Sequence, residues 1–154
     1  MNAIYFYRLA NFFYRKRVPL VPSVLRYLIF FLYNSVIEPA CDIGEDSYFV
    51  HGGIGVVLHP RCRIGSRVVI GQGVTLGGSF GSGPPTVEND VWIGPGARLL
   101  GEINIGQNCI IGANAVVIRD VPENSVVAGV PAKIIKTLSP GSLDVASGQL
   151  HDMS

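Results

Sequence analysis

The sequence predicts a mainly β chain, a parallel β-helix of six-residue units with a short helical arm at its N-terminus. Two observations carry this. From Ile64 on, an aliphatic residue recurs at Ile70, Leu76, Val87, Ile93, Leu99, Ile105, Ile111 and Val117, each step being six residues except Leu76 to Val87, which is eleven. Gly follows at Gly65, Gly71, Gly77, Gly94, Gly106 and Gly112, and a small or aliphatic residue sits four places after the aliphatic, at Val68, Val74, Val91, Ala97, Ile103, Cys109, Ala115 and Val121. Each unit is one short strand and one turn, and its aliphatic is buried only when coils stack.

The arm comes first. Asn2 is placed to cap a helix on which Tyr5, Leu9, Phe12 and Phe13 fall near one face, with Arg8 and Arg15 beside them. Pro19 and Pro22 lack N–H donors and end it. Ser23 is the expected N-cap of a second helix, over 24–34, with Leu28, Phe31 and Leu32 on one face. Residues 1–37 hold Arg8, Arg15, Lys16, Arg17 and Arg26 and no acid, whereas the remainder carries seven basic residues against eleven acids. The arm is expected to cap the open end of the solenoid. Its basic, aromatic character also points to peripheral contact with an anionic membrane surface. The longest apolar run, Tyr27 to Ile37, is about half of the ~20 residues a bilayer span needs.

Glu38-Pro39 closes the arm, and the repeat domain is expected over 38–136. Ile43 to Ile64 is 21 residues, so the count of six fails by three, and the irregular stretch contains His51-Gly52-Gly53. The second failure, 77–86, is Gly- and Pro-rich and reads as a projecting loop. Ser125 to Val130 and Pro131 to Lys136 are expected to close the far end, and 137–154 to form a mobile, small and polar tail. Of the three cysteines, Cys109 falls on an inward position. The odd count, with no signal-peptide pattern, favours a reducing cytoplasm. Net charge is +1, which alone predicts no partner, and no nucleic acid is expected.

His51 is the candidate catalytic residue. A neutral imidazole at an accessible position is the usual general base for a hydroxyl at neutral pH, worth roughly 100- to 10,000-fold in rate. Gly52 and Gly53 let backbone or ligand approach closely. The bland reading is a hydrogen-bonded structural histidine. His59, before Pro60, reads either as a turn residue or as facing the groove. A zinc enzyme would need three nitrogen ligands, and the chain offers only His51, His59 and His151, so no metal is expected.

The segments His51-Gly52-Gly53-Ile54-Gly55-Val56-Val57, Val74-Thr75-Leu76-Gly77-Gly78, Ile93-Gly94-Pro95-Gly96-Ala97 and Val127-Ala128-Gly129-Val130-Pro131-Ala132-Lys133 resemble the hexapeptide-repeat acyltransferases, in particular the serine acetyltransferases and the related acetyltransferases of bacterial polysaccharide biosynthesis. Tyr7-Arg8-Leu9-Ala10 is similar to the end of the serine acetyltransferase helical domain, and the likeness covers about residues 5–136. The resemblance implies a left-handed parallel β-helix and a homotrimer with active sites between subunits. It also implies direct transfer from acetyl-CoA to an acceptor hydroxyl, with His51 as base. By position it implies that Gly77, Gly78, Pro95, Gly96, Ala97, Gly112, Ala113 and Lys133 hold the donor.

Four departures bear on the acceptor. Serine acetyltransferases carry an Asp immediately before the catalytic His and another fifteen residues earlier; here these positions are Val50 and Val36. They carry a second His in the loop after the Gly-Gly pair, where this chain has Pro84-Pro85, and a longer upstream helical domain that this sequence does not include. Glu38 or a backbone carbonyl is then the group left to orient the imidazole, and Glu38 and His59 are candidates for acceptor binding. The expectation drawn is an O-acetyltransferase acting on a sugar hydroxyl of a surface polysaccharide, with a lipid-linked acceptor suiting the arm. Serine O-acetyltransferase is the alternative, and a non-catalytic scaffold a third class.

Overall fold

The computed structural model describes residues 1–145 and the backbone of 149–150. Two antiparallel-packed helices, α1 (Ala3–Arg15) and α2 (Val21–Tyr33), sit on one end of a left-handed parallel β-helix. The first coil is β1 (Val36–Ile37), β2 (Asp42–Ile43) and β3 (Tyr48–Phe49), and the second is β4 (Val57–Leu58), β5 (Arg63–Ile64) and β6 (Val69–Ile70). The third is β7 (Thr75–Gly77), β8 (Thr86–Val87) and β9 (Trp92–Ile93), and the fourth is β10 (Arg98–Leu100), β11 (Asn104–Ile105) and β12 (Ile110–Ile111). β13 (Val116–Val117), a bridge at Val121 and β14 (Ser125–Gly129) complete the fifth, and β15 (Ala132–Thr137) returns antiparallel to β14.

Stacking produces three faces, β1-β4-β7-β10-β13, β2-β5-β8-β11 and β3-β6-β9-β12-β14. Because side chains alternate along a strand, one residue of each strand points inward. On the first face Ile37, Leu58, Leu76, Leu99 and Val117 stack in register and are buried. On the third, Phe49, Ile70, Ile93, Ile111 and Val127 do the same. Each large side chain so buried contributes about 1.5–3 kcal/mol. The glycine after the inward aliphatic is required by the closeness of the coils: a Cβ at Gly94 would stand 2.6 Å from the backbone nitrogen of Ala113.

The register locates both failures of the count. Val57 pairs with Thr75, eighteen residues on, whereas Val36 pairs with Val57, twenty-one on. The excess three residues are absorbed by a 3-10 turn, Val50–Gly53, at the corner between the third and first faces. Thr75 pairs with Arg98, twenty-three on, the five extra residues forming a loop at the next corner, between the first and second faces. That loop is pinned by Ser82, whose backbone N–H donates to the Ser79 carbonyl at 2.8 Å, and Phe80 at its tip is fully exposed.

Three expectations change. Helix α2 begins earlier than expected, and its N-cap is Leu20, not Ser23. Pro22 lies inside the first turn, where a missing N–H costs nothing because that turn has no intrahelical acceptor for it. The first coil starts at Val36, so the arm and the solenoid meet within 36–37. Of the segment expected as a tail, Leu138, Leu143 and Val145 are buried with Val69 and Ile110 on the third face, and β16 (Leu143–Asp144) pairs with β17 (Gln149–Leu150). Residues 146–148 and 151–154, with His151, lie outside the described residues.

The basic residues of the arm are largely engaged by the protein itself. Arg8 donates to the carbonyls of Ile43 and Gly44. Arg15 pairs with Asp42 at 2.9 Å and Arg26 with Glu38 at 3.3 Å. Tyr7 is buried, donates to the Cys41 carbonyl at 2.6 Å and accepts from the Ile43 N–H at 3.2 Å, fastening α1 to the first coil. Burial pushes its phenol well above the ordinary tyrosine range. No helix among the described residues is long and apolar enough to cross a membrane. The cysteines Cys41, Cys62 and Cys109 are free and buried.

Candidate active site

His51 is presented by three successive left-handed residues, His51 (φ 51), Gly52 (φ 76) and Gly53 (φ 92). Such a backbone is strained at a residue with a Cβ and persists only where the surroundings hold it. A Cβ at Gly52 would lie 3.1 Å from the Tyr33 ring and 3.2 Å from the Met1 carbonyl oxygen, so the glycine is needed for space as well as for φ. The Ser35 hydroxyl donates to the Gly53 carbonyl at 2.5 Å and accepts from the Val56 N–H at 3.1 Å. The Gly55 N–H donates to the Tyr33 carbonyl at 3.1 Å, and Asn2 Nδ2 to the Phe49 carbonyl at 2.7 Å. The start of α1, the end of α2 and the entry to β1 thus converge on this loop. The His51 ring is exposed, and no described residue hydrogen-bonds it.

Below His51 the same corner runs through Gly71-Gln72-Gly73, Gly94-Pro95-Gly96 and Gly112-Ala113-Asn114. Backbone bonds tie it from coil to coil: Gly73 N–H to Ile54 carbonyl at 2.9 Å, Gly96 N–H to Gln72 carbonyl at 2.9 Å, and Asn114 N–H to Pro95 carbonyl at 2.8 Å. Of the residues expected to hold the donor, Pro95, Gly96, Ala97, Gly112 and Ala113 therefore share the His51 corner. The Pro95 carbonyl already accepts one hydrogen bond, leaving one lone pair for a ligand.

Gly77 and Gly78 do not share it. They lie at the far edge of the first face, where the inserted loop departs. Lys133 lies under the last coil, in a cleft of about 420 Å³ lined also by Val117, Ile118, Arg119 and Asp120. The sequence reading missed Arg119. Its signal, a second basic residue at the end of the repeat, is visible only once β15 folds back beneath the fifth coil. Four coil spacings of ~4.8 Å separate this end from the His51 coil, roughly 19 Å along the axis.

The acceptor candidates sit elsewhere. His59 Nδ1 accepts from the Arg61 N–H at 3.1 Å, which makes it a turn histidine. Glu38 is bound to Arg26 and makes no bond to the imidazole it was expected to orient. Among the described residues no group of three His, Cys, Asp or Glu side chains is placed to hold a metal.

Comparison with known proteins bears on this geometry. Residues 84–119 match the family model of the bacterial transferase hexapeptide (six repeats). The chain is 40% identical over 137 residues to a serine acetyltransferase of Synechococcus elongatus, an alignment covering 87% of this chain and 56% of that protein. It is 39% identical over 138 residues to a serine acetyltransferase of Helicobacter pylori, covering 88% of this chain and 80% of the relative. The crystal structure of a Brucella abortus serine acetyltransferase in complex with coenzyme A superposes with a TM-score of 0.83 at 35% identity, over 89% of this chain and 56% of that one. The chain thus spans little more than half the length of some curated relatives.

These relatives overturn the sugar-directed reading. That expectation gave four side-chain departures around the acceptor more weight than the agreement of the whole chain, yet an acceptor is held by few side chains and its counter-charges can come from another element. Agreement along nearly the whole chain with proteins of one name, on a coil corner headed by the expected histidine, shows that this chain belongs to the serine acetyltransferase family of hexapeptide-repeat transferases.

Proposed function

We propose that the chain is a serine O-acetyltransferase that moves the acetyl group of acetyl-CoA to the hydroxyl of L-serine. The observation that carries this is the placement of an exposed His51 at the head of a glycine-rich corner long enough to receive an extended thioester donor. The imidazole takes the hydroxyl proton as the oxygen attacks the thioester carbonyl, and the tetrahedral intermediate collapses with departure of the CoA sulfur. The imidazolium then returns its proton to that thiolate, giving O-acetylserine and CoA. The donor lies along Gly96, Ala97, Gly112 and Ala113, with its phosphates toward Arg119 and Lys133 in the cleft below the last coil.

The same reading takes three copies of the chain, with each site between two of them. In its support, the His51 corner and the Gly77-Gly78 edge bound opposite sides of one face, so a single copy offers the two halves of the donor site facing apart. The inserted loop with its exposed Phe80 leaves from the second edge, where a second copy would meet it. The free, buried cysteines suit a reducing cytoplasm. With serine as acceptor, no lipid-linked substrate is required to account for the arm.

The test is steady-state turnover of acetyl-CoA with L-serine against a panel of hydroxylated acceptors, sugars included. Serine should be the preferred acceptor, and a rate with serine no higher than hydrolysis would overturn the proposal.

A further inference from the structure

Each helix of the arm turns one stripe inward and the opposite stripe away from the solenoid. On α2 the inward stripe is Pro22, Leu25, Ile29 and Tyr33, all buried. At about 100° per residue, Val24, Tyr27 and Phe31 fall on the opposite side, and Leu20 stands at the start of that line. All four are exposed, Leu20 by 78% and Phe31 by 79%, so no described part of the chain covers them. On α1 the buried stripe is Ala3, Ile4, Tyr7 and Ala10, and Tyr5, Leu9 and Phe12 face out. A helix that is apolar all round is normally buried all round. Helix α2, with Arg26 as its one charged residue, is covered on one side only. Large exposed apolar faces of this kind mark interaction surfaces.

The charge around the face says what it meets. Residues 1–37 hold five basic residues and no acid. Arg15 and Arg26 are answered by Asp42 and Glu38, and Arg8 by backbone carbonyls. Lys16 and Arg17 are exposed and have no carboxylate partner among the described residues. They lie in the link between the helices, close in the chain to Leu20, and the Lys16 ammonium stands 6.0 Å from the centre of the outward Phe12 ring. Cations and apolar side chains therefore share one outer face.

We infer that the outer faces of α1 and α2 dock on an anionic lipid bilayer, with Val24, Phe31 and Phe12 seated at the boundary of headgroups and acyl chains and Lys16 and Arg17 on lipid phosphates. The occupant follows from the charge. A second copy applied through the same face would bring Lys16 and Arg17 against an arm with no acid to receive them. An anionic bilayer supplies apolar depth and negative charge together. Tyr5 and Tyr27, apolar rings with a polar tip, suit the interfacial layer. The contact is peripheral, since no helix among the described residues is long and apolar enough to cross a membrane. It needs no lipid-linked substrate and stands whichever hydroxyl accepts the acetyl group.

The experiment floats the full chain with vesicles of phosphatidylcholine, alone or mixed with phosphatidylglycerol. It compares wild type with two double variants, Val24→Ser with Phe31→Ser and Lys16→Gln with Arg17→Gln. All four side chains are exposed, so both variants fold as wild type does. Wild type should partition onto the phosphatidylglycerol vesicles far more than onto phosphatidylcholine alone, and less as salt rises. Loss of the two cations should weaken that partition roughly tenfold or more. Loss of the two apolar side chains should weaken it by a similar factor, with acetyl transfer in solution unchanged in both variants. Wild type that ignores anionic vesicles overturns the inference, as does partition that neither variant reduces. Light scattering that shows wild type losing mass on Val24→Ser with Phe31→Ser, without any vesicle binding, would assign the face to a second copy and overturn it as well.

Discussion

One hydroxyl, that of Ser35, closes the His51 loop by donating to the Gly53 carbonyl at 2.5 Å and accepting from the Val56 N–H at 3.1 Å. Ser35 is fully buried, so its removal leaves the Gly53 carbonyl and the Val56 N–H with only the longer bond of 3.3 Å between them. Ser35→Ala is expected to cost about 1–3 kcal/mol of stability. It should also lower kcat more than it raises KM for acetyl-CoA, since the donor corner is untouched. Chemical denaturation together with steady-state kinetics checks both.

His51→Ala removes the proposed base without touching a buried contact. Transfer should fall by roughly 100- to 10,000-fold while CoA binding, measured by calorimetry, is retained. A variant as active as wild type would refute the assignment.

Gly52→Ala places a Cβ 3.1 Å from the Tyr33 ring at a residue with φ 76. The combined strain is expected to cost about 1–3 kcal/mol and to displace His51, so activity should drop even where the protein remains folded at assay temperature. Circular dichroism melts paired with activity at a temperature well below the transition separate the two effects.

The buried Tyr7 phenol makes the fold sensitive to alkali. Its pKa in the folded protein is raised by burial above the unfolded value of about 10. The contribution is therefore complete below pH ~10 and is lost as pH rises beyond it toward the folded-state value. Tyr7→Phe should be less stable at neutral pH, because the Ile43 N–H loses the phenol oxygen and the Cys41 carbonyl keeps only the longer bond of 3.3 Å from Asn11, yet should show a flatter decline above pH 10. Denaturant midpoints across pH 8–11 test this.

Arg119 and Lys133 line one cleft. Replacing either with Ala should raise KM for acetyl-CoA several-fold, with kcat nearly unchanged and the effect shrinking at high salt, as expected of point charges acting on phosphate. A selective fall in kcat would place the donor elsewhere.

The period of six is local and is legible from residue to residue, because each coil needs an inward aliphatic and a Cβ-free position beside it wherever neighbouring backbones press together, as at Gly94. The interruptions of the count are legible for the same reason, so the three residues that build the His51 turn and the five that build the Phe80 loop could be located before any coordinate was known. The partners across the chain are not legible in that way. Whether Glu38 would meet His51 or Arg26, whether Pro22 would end a helix or sit in the first turn of one, and whether Leu138, Leu143 and Val145 would stay solvated or cover Val69 and Ile110 depended on which surfaces folding brought together. A repeat encodes its own neighbours at a fixed spacing, and the arm and the C-terminal segment, having no repeat, take theirs from the surfaces the solenoid leaves open.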